Sequence, residues 1–402
     1  MLPSFLARAA ALIVVAAMAA ASHAANRAAP AAAPTVAAAP APAAAGGTVP
    51  APALASPSYV LLDVTSGQTI VAQNADERRD PASLTKLMTA YLTFAALRDR
   101  TVLPSQMVEV SQAAWKAEGS RMFIQPRKAV SVDELLHGVI IQSGNDASIA
   151  LAELVGGSEA AFVEKMNETA KRLGLNGTRF VNPTGLPNPQ HYSTAADLAH
   201  LSAALIRDFP EYYPLYALKE YRYNNITQPN RNRLLWVDPY VDGLKTGHTD
   251  VAGWCLVSSA KRGDRRILSV VLGATSDAAR VSESQKLLNY GFQAFDTVEL
   301  YPSGQPVTSL RVWKGEAAEV PAGFLAAQYL TLPKGKAGKL NLTMSATEPL
   351  LAPVAKGLNV GTVHVALEGN AVAELPMVAL QDVAPGSLMH RAWDTVRLWF
   401  KQ

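Results

Sequence analysis

A single cysteine, Cys255, stands in a chain of 402 residues. That excludes an internal disulfide, so stability has to come from packing. Flanked by Trp254 and Leu256, the thiol is expected to be buried rather than reactive. Long apolar runs are scarce as well: the stretch from Ala9 to Ala21 is shorter than the roughly 18 to 20 residues of a membrane span and is mostly alanine. None of the seven histidines belongs to a His-Glu-x-x-His arrangement or a cysteine cluster, so no metal and no other cofactor is expected. A formal charge of +3, with no basic run interleaved with aromatics, argues against a nucleic-acid partner. There is no internal repeat.

What is present divides the chain. Arg8, the short apolar run and Ser22-His23-Ala24 make residues 1–24 a signal peptide by pattern, which implies export. Residues 25–57 are almost wholly Ala and Pro, with Gly46-Gly47. Such a composition buries too little to offset the entropy of ordering, and its prolines oppose a helix, so a disordered tether is expected.

Residues 59–63 and 69–73 read as strands joined by a turn at Thr65-Ser66-Gly67. A helix begins near Pro81 and places Leu84, Leu87, Met88, Tyr91, Leu92 and Ala95 on one face, which should be its buried face. Ser131-Val132-Asp133-Glu134 has the form of a capping box opening a helix through Ile140. Another helix runs from about Asp146 and stops at Gly156-Gly157. Residues 254–260 and 267–272 alternate as strands around Arg262-Gly263-Asp264, a hairpin. Strands, then helices, then strands predict an α/β (α+β) domain over 58–295, with one antiparallel sheet covered by helices. Over 296–384, short runs separated by Gly and Pro predict a small all-β sandwich. In 385–402, Leu388, Met389, Ala392, Trp393, Val396, Trp399 and Phe400 recur at helical spacing, with Arg391, Asp394, Arg397 and Lys401 mostly opposite. Two readings are open: an amphipathic helix lying in a membrane surface, or one docked on its own domain.

Three short motifs carry chemistry. Ser83-Leu84-Thr85-Lys86 opens a helix, where residues three apart share a face. A serine hydroxyl needs a neighbour to remove its proton, and a desolvated lysine can do so. Ser258-Ser259-Ala260-Lys261 repeats the spacing inside a strand, where residues three apart point to opposite faces, and so serves as a control. Ser143-Gly144-Asn145 falls at a turn between helices. Lys245-Thr246-Gly247, followed by His248, lies on a strand whose alternation splits the motif between two faces, so a cleft there must use the strand's edge.

The three motifs in this order, on helix, helical turn and strand, resemble those of serine β-lactamases and penicillin-binding proteins. The closer resemblance is to the low-molecular-mass penicillin-binding proteins, the D-alanyl-D-alanine carboxypeptidases, carried also by residues 80–86, 138–146, 228–235 and 242–249. It implies a β-lactamase/transpeptidase-like fold, a trailing β-domain and a C-terminal amphipathic anchor at the periplasmic face of the inner membrane. It implies a peptidoglycan stem peptide as substrate and β-lactams as inhibitors. The resemblance makes Ser83 the nucleophile and Lys86 its base, kept neutral partly by Lys245. Ser143 becomes a proton relay and Asn145 a partner of the substrate amide. The backbone N–H groups of Ser83 and His248 form an oxyanion hole. Lys245, Thr246 and Arg280 bind the terminal carboxylate beside Gly247, a surface role for Arg280 staying open. Arg231 would brace the cleft. Two features depart from the family pattern: the long tether, and a short segment between Trp115 and Met122 that forms one wall. A class A β-lactamase, an endopeptidase and a non-catalytic wall scaffold are the alternatives. The first needs a glutamate after the second motif, and residues 178–189 contain none.

Overall fold

A computed structural model describes residues 49–400. The signal-peptide reading of 1–24 and most of the Ala/Pro-rich segment lie outside the described residues. Within 49–57 the chain forms no helix or strand, yet it is not a free tether. Val49 and Leu54 pack into the core, Ser56 is buried, and the Ala55 and Ser56 N–H groups donate to the Glu283 carboxylate at 3.2 and 3.1 Å. Composition cannot reveal that anchor, because the partner lies more than two hundred residues away in sequence.

Strands β1 (Ser58–Asp63), β2 (Thr69–Gln73), β3 (Val241–Thr249), β4 (Gly253–Arg262) and β5 (Arg265–Ala274) form one antiparallel sheet in the order β2-β1-β5-β4-β3. The first strand of this sheet in sequence thus pairs with its last, Leu61 opposite Ser269. Every residue of β1 is buried, as expected of a strand covered on both faces. Alternation sorts the sheet: Val60, Leu62, Val257, Leu268 and Val270 face one helical cluster, whereas Tyr59, Leu61, Leu256, Ile267 and Val271 face the other. Strand β3 is left as an open edge, and the Lys-Thr-Gly motif lies on it.

Helix α1 (Lys86–Arg98) is buried at every position except Ala95 and Arg98, so the one-sided burial read from its periodicity is corrected. It is the central helix. Thr89 and Thr93, on the side that reads as polar, are buried because their hydroxyls donate to Pro183 O at 2.7 Å and Thr89 O at 2.9 Å. Helices α2 (Val132–Ile140), α3 (Asn145–Gly156), α4 (Glu159–Arg172) and α5 (Ala195–Asp208) complete its layer. The capping box at Ser131 and Glu134 is formed, and Gly157 ends α3 at φ +79°. On the far face of the sheet, α6 (Asp277–Ala294) packs through Leu287 and Leu288.

Helix α6 runs directly into an all-β unit: β6 (Phe295–Tyr301), β7 (Pro306–Trp313), β8 (Glu319–Gly323), β9 (Gln328–Pro333), β10 (Leu340–Ala346), β11 (Leu350–Leu351), β12 (Asn359–Leu367) and β13 (Asn370–Ala379). A six-stranded sheet, β10-β12-β13-β8-β7-β11, and the β6-β9 pair enclose a core that includes Val312, Val320, Leu332, Val363 and Met377. Asp63 ties this unit to the first sheet. Its buried carboxylate accepts from Thr65 N at 3.0 Å, Arg265 Nε at 2.8 Å and Thr297 Oγ1 at 2.5 Å, while Arg265 Nη1 reaches Phe295 O at 2.5 Å.

Helix α7 (Leu388–Trp399) is capped by Ser387. Asp394, buried, accepts from Lys314 N at 2.6 Å and lies 3.5 Å from His390 Nε2. The opposite side, with Leu388, Met389, Trp393, Val396, Trp399 and Phe400, is exposed. Docking on its own domain therefore accounts for the Asp394 side alone. Among the described residues no helix is long and apolar enough to cross a membrane.

Removing the Asp63 carboxylate leaves the Arg265 guanidinium half-paired in the interior. Asp63→Ala should lose about 3 kcal/mol of stability, read as a lower urea midpoint, with Asp63→Asn losing less.

Candidate active site

The first motif begins in a tight turn rather than in an α-helix: Ser83 lies in a 3-10 turn, Ala82–Thr85, and Lys86 is the first residue of α1. The spacing still brings the two together. Lys86 Nζ lies 3.0 Å from Ser83 Oγ, 2.7 Å from Asn145 Oδ1 and 2.5 Å from Thr184 O. The last two partners can only accept. A neutral amine that donates both its hydrogens to them keeps its lone pair for the Ser83 hydroxyl.

The turn is held under strain. Ala82 sits at φ +45°, a left-handed conformation uncommon for a residue with a side chain, and its N–H is fixed by Asp80 Oδ1 at 2.7 Å. Two glycines let backbone close on it. A Cβ on Gly185 would fall 1.8 Å from Ala82 O, and one on Gly247 would fall 3.0 Å from Pro81 O and 3.2 Å from Ser83 N. The absence of a side chain at Gly247 therefore lets strand β3 approach the turn without displacing it.

Ser143, at φ +58°, lies in the turn between α2 and α3. Its Oγ accepts from Lys245 Nζ at 2.9 Å, and the same nitrogen donates to Thr246 O at 2.9 Å. Asn145 is engaged at both ends of its amide, since Nδ2 donates to Glu118 O at 2.6 Å. The next residue, Asp146, accepts the N–H groups of Met122, Phe123 and Ile124 at 3.0, 2.8 and 3.2 Å. That cradle fixes the wall segment which the sequence marks as short.

These groups border a cavity of about 160 Å³ lined by Ser83, Ser120, Ser143, Arg231, Thr246, Gly247, His248, Trp254 and Arg280. Lys86, Asn145 and Lys245 are buried behind it. Arg280 is not a solvated surface residue. It is buried, donates from Nη1 to Gly247 O and Cys255 O at 3.0 and 3.2 Å, and pairs with Asp277. Its guanidinium lies over the Trp254 ring, against which His248 also rests. Elsewhere, Ser258 Oγ bonds Ser269 Oγ at 2.7 Å while Lys261 is exposed, so the second Ser-x-x-Lys does not pair. Cys255 is buried, and burial pushes its thiol up to about 11.

Burial pulls Lys86 down to about 7; the Arg231 guanidinium pushes the same way and Asp146 opposes. Desolvation thus comes first, and the positive fields of Arg231 and of Lys245, which acts on Lys86 as Lys86 acts on it, push in the same direction. Lys245 is itself lowered well below the ordinary lysine range, by burial and then by Lys86, Arg231 and Arg280. His191 has no motif to announce it. Its Nδ1 accepts from Val181 N and its Nε2 lies 2.7 Å from Thr85 Oγ1, and burial, followed by Lys86, lowers it to about 4. Thr184 acts through a main-chain carbonyl, which no residue type encodes. Its loop is held by Asn182 Oδ1, which accepts from Thr184 N and Gly185 N.

The family model for D-alanyl-D-alanine carboxypeptidases matches residues 45–276. The chain belongs to that family. A second model, the C-terminal domain of penicillin-binding protein 5, matches 295–385. The Escherichia coli D-alanyl-D-alanine carboxypeptidase DacC is 44% identical over 363 residues, 88% of this chain and 91% of that protein. The crystal structure of penicillin binding protein 5 from Haemophilus influenzae superposes with a TM-score of 0.81 at 40% identity, covering 84% of this chain and 99% of that one. The ampicillin-bound penicillin-binding protein D2 of Listeria monocytogenes covers 61% of this chain and 100% of its own, with a TM-score of 0.56 at 31% identity. The family makes this chain a serine-type D-Ala-D-Ala carboxypeptidase, a hydrolase with a penicillin-binding fold.

With Arg231 as the second cause of the low Lys86 value, Arg231→Gln should move the Lys86 titration upward from about 7. NMR of ¹³C-labelled lysine ε-carbons follows that midpoint directly.

Proposed function

We propose that the protein removes the terminal D-alanine of peptidoglycan stem pentapeptides through an acyl-enzyme on Ser83. The observation that supports this reading most is the direct Lys86–Ser83 contact inside a site where Lys86 titrates near 7. A base with that value is half deprotonated at neutral pH and can take the Ser83 proton as Oγ attacks the carbonyl of the penultimate D-alanine. The backbone N–H groups of Ser83 and His248 would hold the oxyanion. Lys245, Thr246 and Arg280 would orient the terminal carboxylate beside Gly247, Arg280 mostly by fixing the strand. An incoming carboxylate would restore the charge that burial strips from Lys245. Ser143, bonded to Lys245, would relay a proton to the departing amine. Asn145 would turn part of its amide to the substrate by giving up Glu118 O. Water then releases the shortened peptide.

A β-lactam would form the same ester on Ser83 and leave it slowly. The β-lactamase reading loses support from the loop at Thr184: where that mechanism needs a carboxylate to activate water, a carbonyl holds Lys86. The outward apolar face of α7, with Arg391 and Arg397 beside it, favours a peripheral place on a membrane surface. With the signal peptide at 1–24, this is the periplasmic face of the inner membrane. We divide the chain accordingly into a catalytic domain over 58–295, a β-sandwich over 296–384 and an anchor over 385–402.

Free D-alanine released from a pentapeptide ending in D-Ala-D-Ala tests the reaction. Ser83→Ala should lower kcat by about a thousandfold or more, and penicillin should abolish release. Rapid penicillin hydrolysis without D-alanine release would move the assignment to a β-lactamase. Between about pH 6 and 8, kcat/KM should rise as Lys86 loses its proton and then level off. The anchor is tested by sedimentation with anionic vesicles: chain ending before Ser387 should stay in the supernatant while cleaving soluble peptide normally.

A further inference from the structure

A second, larger concavity of about 630 Å³ is used by nothing above. Arg78, Asp80, Pro187, Pro189, Tyr192 and Val251 line it. Two of its lining residues are continuous in the chain with segments that border the catalytic cavity. Asp80 holds the Ala82 N–H immediately before Ser83, and Val251 follows the end of β3, three residues beyond His248. If the carboxylate end of a substrate rests at Lys245 and Thr246, the acyl half lies on the other side of Ser83. It must then run along the open edge of β3 past His248 and leave through this groove.

The groove has chemistry to match an acidic peptide. Arg78 has its guanidinium 4.5 Å from the centre of the Tyr192 ring. Stacking of this kind fixes the plane of the fork and leaves its N–H edges free. Among the described residues no carboxylate forms an ion pair with Arg78, whereas its neighbour Arg79 is paired with Glu77 at 2.9 Å. Asp80, the acid on this wall, is occupied by the Ala82 N–H. Pro187 and Pro189 stiffen the facing loop, and Val251, 78% exposed, offers an aliphatic surface that no part of the described chain covers.

We propose that this groove is a subsite for the upstream part of the substrate peptide, in which Arg78 binds a carboxylate and Val251 with the prolines receives the aliphatic stem that bears it. The subsite rests on the carboxypeptidase reading for its direction of approach. It makes the enzyme selective among peptides that share the same D-Ala-D-Ala end.

The test compares a pentapeptide ending in D-Ala-D-Ala whose upstream residues carry free carboxylates with the same peptide amidated at those carboxylates. In the native protein the acidic peptide should have the higher kcat/KM. In Arg78→Ala the ratio of the two values should fall about tenfold, the scale of one charge-assisted hydrogen bond. Arg78→Lys should keep part of the preference. Dissociation constants of both peptides measured on the Ser83→Ala protein should show the same difference, independently of turnover. Equal affinity for the two peptides overturns the subsite, and so does an Arg78→Ala effect that is equal for both, which marks a structural role. Preferential binding of the acidic peptide without D-alanine release from either supports the subsite and instead sinks the carboxypeptidase reading.

Discussion

Lys86 is buried without a carboxylate in contact, and its three hydrogen-bond partners are a hydroxyl, an amide oxygen and a main-chain carbonyl. An ammonium deprived of water and left without an anion is expensive, and shedding the proton is the cheaper response. Much of the surrounding architecture serves that desolvation. The central helix is covered on all sides so that its first residue can be buried. The loop through Thr184 closes behind the lysine, and Arg231 adds a second positive charge rather than a compensating negative one. Asp146 is the nearby acid that could undo the effect. Its carboxylate is committed to three backbone N–H groups of the cleft wall.

The Ser83 hydroxyl is placed by backbone rather than by side-chain packing. The Ser83 turn is gripped between the Gly185 loop, closer than a Cβ allows, and the Gly247 strand, where a Cβ would be tight, and Ala82 takes a left-handed conformation between them. Strain at Ala82, the residue before Ser83, is tolerable because Asp80, the helix behind and the edge strand in front all over-determine it. The site thereby contains two serine–lysine pairs, Ser83 with Lys86 and Ser143 with Lys245. They come from three different segments of chain.

The parts away from the site are joined by polar contacts that are buried at the junction. Asp63 and Arg265 link the first sheet to the start of the β-unit, so that unit is held by hydrogen bonds with directional preference rather than by apolar contact alone. At the far end, Asp394 bonds to Lys314 N and sits across the helix from the tryptophans. One buried carboxylate therefore decides which way the apolar stripe of α7 points.

The sequence by itself determined the two-part architecture, the capping box, the central hairpin and the three motifs, because each rests on spacing over a few residues and the periodicity of helix or strand encodes it locally. It also separated the Ser-x-x-Lys whose side chains meet from its copy at Ser258, since strand alternation forbids that pair. Periodicity misjudged α1, whose polar threonines are satisfied by partners elsewhere in the chain, and composition misjudged residues 49–57, which bind a glutamate on α6. Folding alone brings about the bonding of Asn145 at both ends, the burial of Arg280 and its commitment to β3, the carbonyl of Thr184 behind Lys86, and the added positive field of Arg231 on that lysine. Those are matters of desolvation and of distance between segments far apart in sequence, and neither quantity exists until the chain has folded.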